Sequence, residues 1–75
     1  MISLSEIEVG QRCRVVEVES SSDSIGLLEL GLMPGSEIEL KMIAPMGDPI
    51  AVEVLGSTLA LRKKEASLIS VIKID

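Results

Sequence analysis

Few of the 75 side chains belong to the types that carry out catalysis or bind transition metals. Histidine is absent and Cys13 is the single cysteine, so the chain lacks the usual ligands of zinc and iron sites. A lone thiol is most often a small buried apolar residue, and we expect that role for Cys13. The sequence shows no nucleophile elbow and no acid–base pair in a recognisable frame. It therefore predicts neither an enzyme nor a protein that holds a metal or cofactor.

The charged residues offer three further candidates for chemistry. Glu37, Glu39 and Glu53 could lie on one outward face of a sheet, but such carboxylates are usually solvated and select transition metals poorly. The Gly-Asp-Pro turn at 47–49 lacks the Gly-Lys-Ser/Thr ending of a phosphate-binding loop. The basic run at 62–64 is most simply a solvated turn, and a contact with an acidic partner surface is the alternative.

Composition narrows the class of protein. The formal net charge is −5, and Phe, Tyr and Trp are absent. An acidic surface repels phosphate backbones and anionic membranes, and no aromatic platform is available for stacking bases. No apolar run approaches the ~18 residues of a membrane span, and the N-terminus lacks the features of a signal peptide. The lone cysteine suits a reducing compartment. We expect one soluble, cytoplasmic domain over residues 1–75.

Hydrophobic periodicity predicts five short strands, one helix and one helical turn. The first strand, at 12–19, places Val15 and Val16 side by side, which indicates either a bulge or a strand covered on both faces. In the hairpin around the loop at 45–49, Lys41 should lie roughly opposite Glu53. Gly56 followed by Ser57 is typical of a type II′ hairpin turn. The other predicted elements are a helix at about 24–30, strands at 37–42, 50–54, 58–62 and 68–74, and a helical turn at 64–67. Such a chain can close into a small, strongly bent barrel of the SH3-like kind.

The predicted helix has a clear beginning and end. The polar run at 20–24 supplies an N-cap, because short oxygen side chains accept from free amide groups. Gly31 fits the left-handed position that ends a helix, and Leu32 can fold back on the last turn. Pro34 then prevents continuation, and Gly26 should weaken the helix by about 1 kcal/mol relative to Ala.

The segment from Ile25 to Met33 carries more apolar side chains than one buried stripe needs. Six apolar residues fall within it, and a small barrel cannot bury them all. An exposed remainder would mark an interaction site. We expect Ile25, Leu27 and Met33 to contribute to this site, Leu27 and Met33 first. Met46, at the tip of the following loop, would add an adaptable contact.

Three segments resemble the FeoA family in order and spacing. Residues 28–36 read LELGLMPGS, residues 44–49 read APMGDP and residues 59–66 read LALRKKEA. They are similar to the family's LLELGLxPGT, APxGDP and LALRxxEA segments. Each alone is common, but the three in register are specific. The residues that carry the resemblance as structural motif positions are Leu30, Gly31, Leu32, Pro34, Gly35, Gly47, Asp48, Pro49, Leu59, Leu61 and Arg62.

The resemblance implies an SH3-like barrel with an inserted helix and a cytosolic accessory role in ferrous iron uptake. It also implies contact with the FeoB transporter, at its cytosolic GTP-binding domain, and transition metal ion binding as a family-level term. Family members often have basic residues where the helix begins, whereas this chain has Asp-Ser-Ile-Gly at 23–26. Any basic contact made there by relatives is therefore not expected here.

These observations lead to one function and two alternatives. The leading hypothesis is an adaptor, without catalysis, nucleic-acid binding or membrane insertion, which binds the transporter's cytosolic domain and acts as a monomer. A small RNA-binding barrel is the first alternative, disfavoured by acidity and the lack of aromatics. A self-associating structural module is the second. The apolar Ile72 and Ile74 leave it open, because they fall on the face opposite Ile69 and Val71.

Overall fold

Six antiparallel strands form one continuous sheet in the order β1-β6-β2-β3-β4-β5. The computed structural model describes residues 1–22 and 24–74. The elements, in chain order, are β1 Ile2–Ser3, a 3₁₀ turn Leu4–Glu6, β2 Arg12–Val18, α1 Ile25–Glu29, β3 Glu37–Ile43, β4 Ile50–Val54, β5 Ser57–Leu61, α2 Lys63–Ala66 and β6 Ile69–Lys73. Within these residues, β1 and β5 are the outer strands and do not pair with each other. Hydrogen bonds therefore do not close the sheet into the full barrel that the sequence suggested.

Strand β1 is a sixth strand, which the sequence did not predict. It pairs with β6 through Ile2 opposite Val71 and Ser3 opposite Ser70. Two residues are too few to show an alternating pattern. The strand ends where Ser3 caps the following 3₁₀ turn, its hydroxyl oxygen accepting from the Ser5 amide. The structure thus has six strands, five of them close to the predicted ranges.

Two bulges bend the sheet. The ladder between β2 and β6 shifts register between Val15 and Glu17, which confirms the bulge predicted from adjacent apolar residues. A second shift, between Leu40 and Met42, lies in the ladder from β3 to β4. Bulges increase local twist, so the sheet can wrap around one core.

The hydrophobic core consists of aliphatic side chains and one thiol. Cys13 is completely buried, as predicted. Burial raises the pKa of its thiol to about 11, so the thiol is protonated at neutral pH, the form that is poorly reactive as a nucleophile. The buried apolar residues are Leu4, Ile7, Cys13, Val15, Leu27, Leu32, Ile38, Leu40, Ile50, Val52, Val54, Leu61, Ala66, Ile69 and Val71.

Helix α1 ends in a Schellman motif. The Leu32 amide donates to the Leu27 carbonyl at 3.0 Å and the Gly31 amide donates to the Leu28 carbonyl at 3.1 Å. Gly31 takes the left-handed conformation, with φ of 98°, as the sequence predicted. Leu27 and Leu32 are the two residues that the motif brings together, and both lie in the core.

The beginning of α1 differs from the expectation. Ser24 occupies the N-cap position, but its side chain makes no cap hydrogen bond to the helix. Its hydroxyl instead bonds to the backbone of Ser21, at 3.0 Å from both the amide nitrogen and the carbonyl oxygen. The hydroxyl of Ser24 thus stabilises the turn before the helix.

The β4–β5 hairpin turns one residue earlier than predicted. Its loop residues are Leu55 and Gly56, between the paired residues Val54 and Ser57. Both loop residues have positive φ, at 53° and 81°, which is the type I′ turn rather than the predicted type II′. The register was misread because a bulky leucine seldom adopts positive φ.

Replacing Gly31 by alanine should destabilise the fold, whereas the same change at Gly26 should stabilise it. A Cβ on Gly31 would carry a left-handed φ and lie 2.9 Å from the Leu55 side chain; the conformation alone costs about 1–2 kcal/mol. A Cβ on Gly26 meets nothing within 4 Å, so Gly26→Ala should add about 0.5–1 kcal/mol. Thermal unfolding checks both, since 1 kcal/mol shifts Tm by about 4–8 °C in a domain of this size. Equal shifts for the two variants would contradict this account of the helix end.

Candidate functional site

The first motif segment, residues 28–36, fixes the end of α1 to strand β2. The Gly35 amide donates to the Val15 carbonyl and the Val15 amide donates to the Ser36 carbonyl, both at 2.8 Å. The Ser36 hydroxyl donates to the Gly31 carbonyl at 2.6 Å. These bonds turn the chain sharply after Pro34 and hold the turn in one place. The segment is therefore a structural support for whatever α1 presents to solvent.

The second and third motif segments meet at Asp48. One carboxylate oxygen, Oδ1, accepts from the Lys63 amide at 2.9 Å, at the first residue of α2. The other, Oδ2, lies 4.0 Å from Nη1 of Arg62. The amide of Arg62 donates to the Glu65 side chain at 2.8 Å. First-turn amides have no partner within a helix, so Asp48 and Glu65 supply acceptors that α2 needs.

The outward carboxylates are held by cationic side chains. Glu37 forms ion pairs with Arg12 and Arg14. In each pair an Nη2 atom of the arginine lies 3.2 Å from a carboxylate oxygen of Glu37. Nζ of Lys41 lies 3.2 Å from a carboxylate oxygen of Glu39 and 3.5 Å from one of Glu53. The predicted Lys41–Glu53 contact is present, but the expectation that Lys41 lies opposite Glu53 is wrong, because Glu39 is the cross-strand partner of Glu53.

Cross-strand register explains the position of Lys41. Glu39 lies directly opposite Glu53, and Lys41 bridges these two like charges. The hydrogen bond to Glu39 and the charges of both carboxylates raise the pKa of Lys41. Among the described residues, no group of carboxylates or cysteine is arranged to hold a metal ion.

An exposed apolar surface surrounds α1 and the tip of the β4–β5 hairpin. Its members are five large side chains, between 45% and 83% exposed: Ile25, Leu28, Leu30, Met33 and Leu55. We call these five residues the helix–hairpin patch. The tip of the hairpin contacts the end of the helix, where the Leu55 side chain lies over Gly31.

Two of the predicted contact residues do not belong to this patch. Leu27 is 2% exposed, so the expectation that it faces a partner is wrong. The Schellman motif directs it into the core against Leu32. Met46 is 92% exposed, but its loop joins the other ends of β3 and β4, away from Leu55. Ile25 and Met33 are the two predicted contact residues that lie in the helix–hairpin patch, at 64% and 47% exposure.

Sequence reasoning missed Leu28 and Leu55 as exposed positions. Leu28 lies three residues after Ile25, which places both on one side of a helix. Leu55 follows Val54 and so breaks the alternation of β4. That break, just before a glycine, is the one signal that could have identified it.

A model of the FeoA domain matches residues 2–73 of the chain. The chain belongs to the FeoA family. FeoA domains are associated with ferrous iron transport as accessory domains and are not a known enzyme family. Among the residues that the structure describes, no helix is long and apolar enough to cross a membrane.

Solved FeoA structures share the fold. The FeoA protein of Chlorobium tepidum is 35% identical, with a TM-score of 0.91 over 99% of this chain and 71% of that one. An FeoA-like protein of Clostridium acetobutylicum is 36% identical, with a TM-score of 0.90 over 97% and 86%.

A third relative connects the family to SH3 domains. The FeoA of Stenotrophomonas maltophilia, solved with zinc, is 28% identical, with a TM-score of 0.85 over 96% of this chain and 91% of that one. It is described as a prokaryotic SH3 domain protein and suggested as a bacterial ferrous iron transport activating factor. The fold of the present chain is therefore SH3-like.

Asp48→Ala should destabilise the protein by about 1 kcal/mol, because removal of a capping side chain typically costs that much. Asp48→Asn keeps an oxygen acceptor for the Lys63 amide and is the matched control, with a smaller loss. Chemical denaturation of both variants measures the difference. If Asp48→Asn lost as much stability as Asp48→Ala, the hydrogen bond would not be the contact that matters.

Proposed function

We propose that this chain is an accessory protein of bacterial ferrous iron uptake. In this proposal it works as a cytoplasmic monomer, binds the cytosolic GTP-binding domain of an FeoB-like transporter and changes the transporter's assembly or activity. Membership of the FeoA family supports the iron-transport part. The suggestion made for the Stenotrophomonas maltophilia relative, that it acts as a transport activating factor, supports the accessory part.

The helix–hairpin patch is the observation that carries the binding role. Large exposed apolar groups scattered singly are ordinary, whereas a contiguous set marks a contact surface. Here α1 and the turn after it expose Ile25, Leu28, Leu30 and Met33, and Leu55 reaches the same place from the hairpin. Backbone bonds to β2 and the Ser36 hydroxyl fix the end of α1 and the turn after it, so that part of the patch needs little ordering when a partner binds.

A metal-binding role is not part of the proposal. The zinc belongs to the Stenotrophomonas maltophilia structure, and the donor set of the present chain does not fit such an ion. Histidine is absent, and Cys13 is buried and protonated. Glu37, Glu39 and Glu53 are engaged by Arg12, Arg14 and Lys41. We therefore propose that ferrous iron is the cargo of the transporter rather than a ligand of this chain.

The direct test is a titration of isotopically labelled protein with the soluble GTP-binding domain of the FeoB-like transporter from the same organism. Backbone amide shifts should cluster in residues 25–36 and 54–57, because these segments form the patch. Met33→Ser should weaken the interaction by about tenfold, the size of a typical interface contact of ~1.4 kcal/mol.

Met46→Ser is the matched control, since it removes an even more exposed methionine from the other end of the β3–β4 hairpin. It should bind like the unmodified protein. Shifts confined to the loop at 44–49 would move the contact away from the patch. No binding to the soluble domain or to the full-length transporter in detergent would contradict the proposed function itself.

A further inference from the structure

The geometry of the β4–β5 hairpin assigns a specific role to Leu55. We infer that Leu55 is an apolar anchor, which enters an aliphatic pocket with a basic rim on the protein that binds the helix–hairpin patch. The inference rests on the proposed function, because it concerns the partner of the same surface. It adds which residue inserts and what the partner must offer to receive it.

The backbone at Leu55 is unfavourable for a leucine. Its φ of 53° belongs to the left-handed region, where a Cβ is crowded by the neighbouring carbonyl and bulky residues are outliers. The first central position of a type I′ turn favours asparagine, aspartate or glycine. Conformations of this kind persist when the surrounding structure over-determines them, and they concentrate at functional sites.

Packing in the protein core does not offset this backbone strain. The Leu55 side chain is 83% exposed, so its burial contributes little to folding. The side chain lies close to Gly31, where an added Cβ would be only 2.9 Å from Cδ1 of Leu55. Because Gly31 has no side chain, the Leu55 side chain can lie over its Cα while most of its surface stays exposed to solvent. An asparagine would fit the turn better, whereas the leucine offers a partner an apolar group that asparagine lacks.

The charges around the patch define the surface that can receive Leu55. The hollow beside Leu55 is lined by three carboxylates, Glu37, Glu39 and Glu53, and by one guanidinium, Arg12, which pairs with Glu37. The whole chain carries a net charge of −5. An anionic membrane and a second copy of the chain would both be repelled. A protein pocket lined by aliphatic side chains and bordered by Lys or Arg complements both the leucine and the surrounding acidity.

The test uses Leu55→Asn and follows two quantities that should move in opposite directions. The variant creates an Asn-Gly type I′ turn, so Tm should rise, by about 4 °C or more if the relieved strain approaches 1 kcal/mol at this domain size. Affinity for the soluble GTP-binding domain of the FeoB-like transporter should fall about tenfold or more. Met46→Asn, the matched control, should leave both quantities nearly unchanged. Raising salt from low to about 0.5 M should weaken binding of the unmodified protein, because screening reduces attraction to a basic rim.

The possible outcomes distinguish failure of the Leu55 anchor from failure of the proposed function. If Leu55→Asn binds within twofold of the unmodified protein while Met33→Ser binds weakly, Leu55 is not an anchor and the proposed function stands. An unchanged or lower Tm for Leu55→Asn would refute the strain on which the inference depends. If the affinity of the unmodified protein for the GTP-binding domain did not change with salt, the inference that the partner's pocket has a basic rim would be wrong. Failure of the unmodified protein to bind the transporter at all would overturn the proposed function and the anchor together.

Discussion

The conformation of Gly31 is the constraint on which the rest of the structure depends. Its positive φ allows Leu32 to fold back and bond to Leu27, which ends α1 after five residues and buries both leucines. Its carbonyl accepts a hydrogen bond from the Ser36 hydroxyl, which fixes the position of the residue just before β3. Its missing side chain also leaves the place where Leu55 lies. Helix end, strand start and hairpin tip therefore meet at one residue that only glycine satisfies without strain.

The turn-forming and capping residues of the family segments have a different physical role from the exposed apolar side chains, some of which lie in the same segments. Gly31, Pro34 and Gly35 shape the chain, and Asp48 supplies the acceptor that connects the long loop to α2. These residues make the frame rigid but offer little to a partner. The exposed leucines and methionine of the helix–hairpin patch contribute less to the frame and supply the apolar area.

Much of the frame follows from the sequence, because strand alternation and glycine or proline punctuation are local signals. The bulge next to Val15, the helix end at Gly31 and the burial of Cys13 were predictable on that basis. Strand β1 was not, since two residues carry no period. The hairpin turn was placed one residue late because Leu55 contradicts the usual turn preference. The bond from Asp48 to the Lys63 amide joins residues 15 positions apart, and no pattern in the sequence indicates it. Exposure of individual apolar residues, such as Leu28 against Leu27, depends on how the helix rotates onto the core.

The uptake of labelled ferrous iron by cells that lack this chain tests the central claim most directly. The account predicts that deletion lowers the initial uptake rate and that the unmodified protein and Met46→Ser restore it. A double variant, Ile25→Ser with Met33→Ser, should fold with a cooperative thermal transition yet fail to restore uptake, because it removes part of the helix–hairpin patch and leaves the frame intact. Uptake that is unchanged by the deletion, or fully restored by the double variant, would contradict a role in which the helix–hairpin patch binds the transport system.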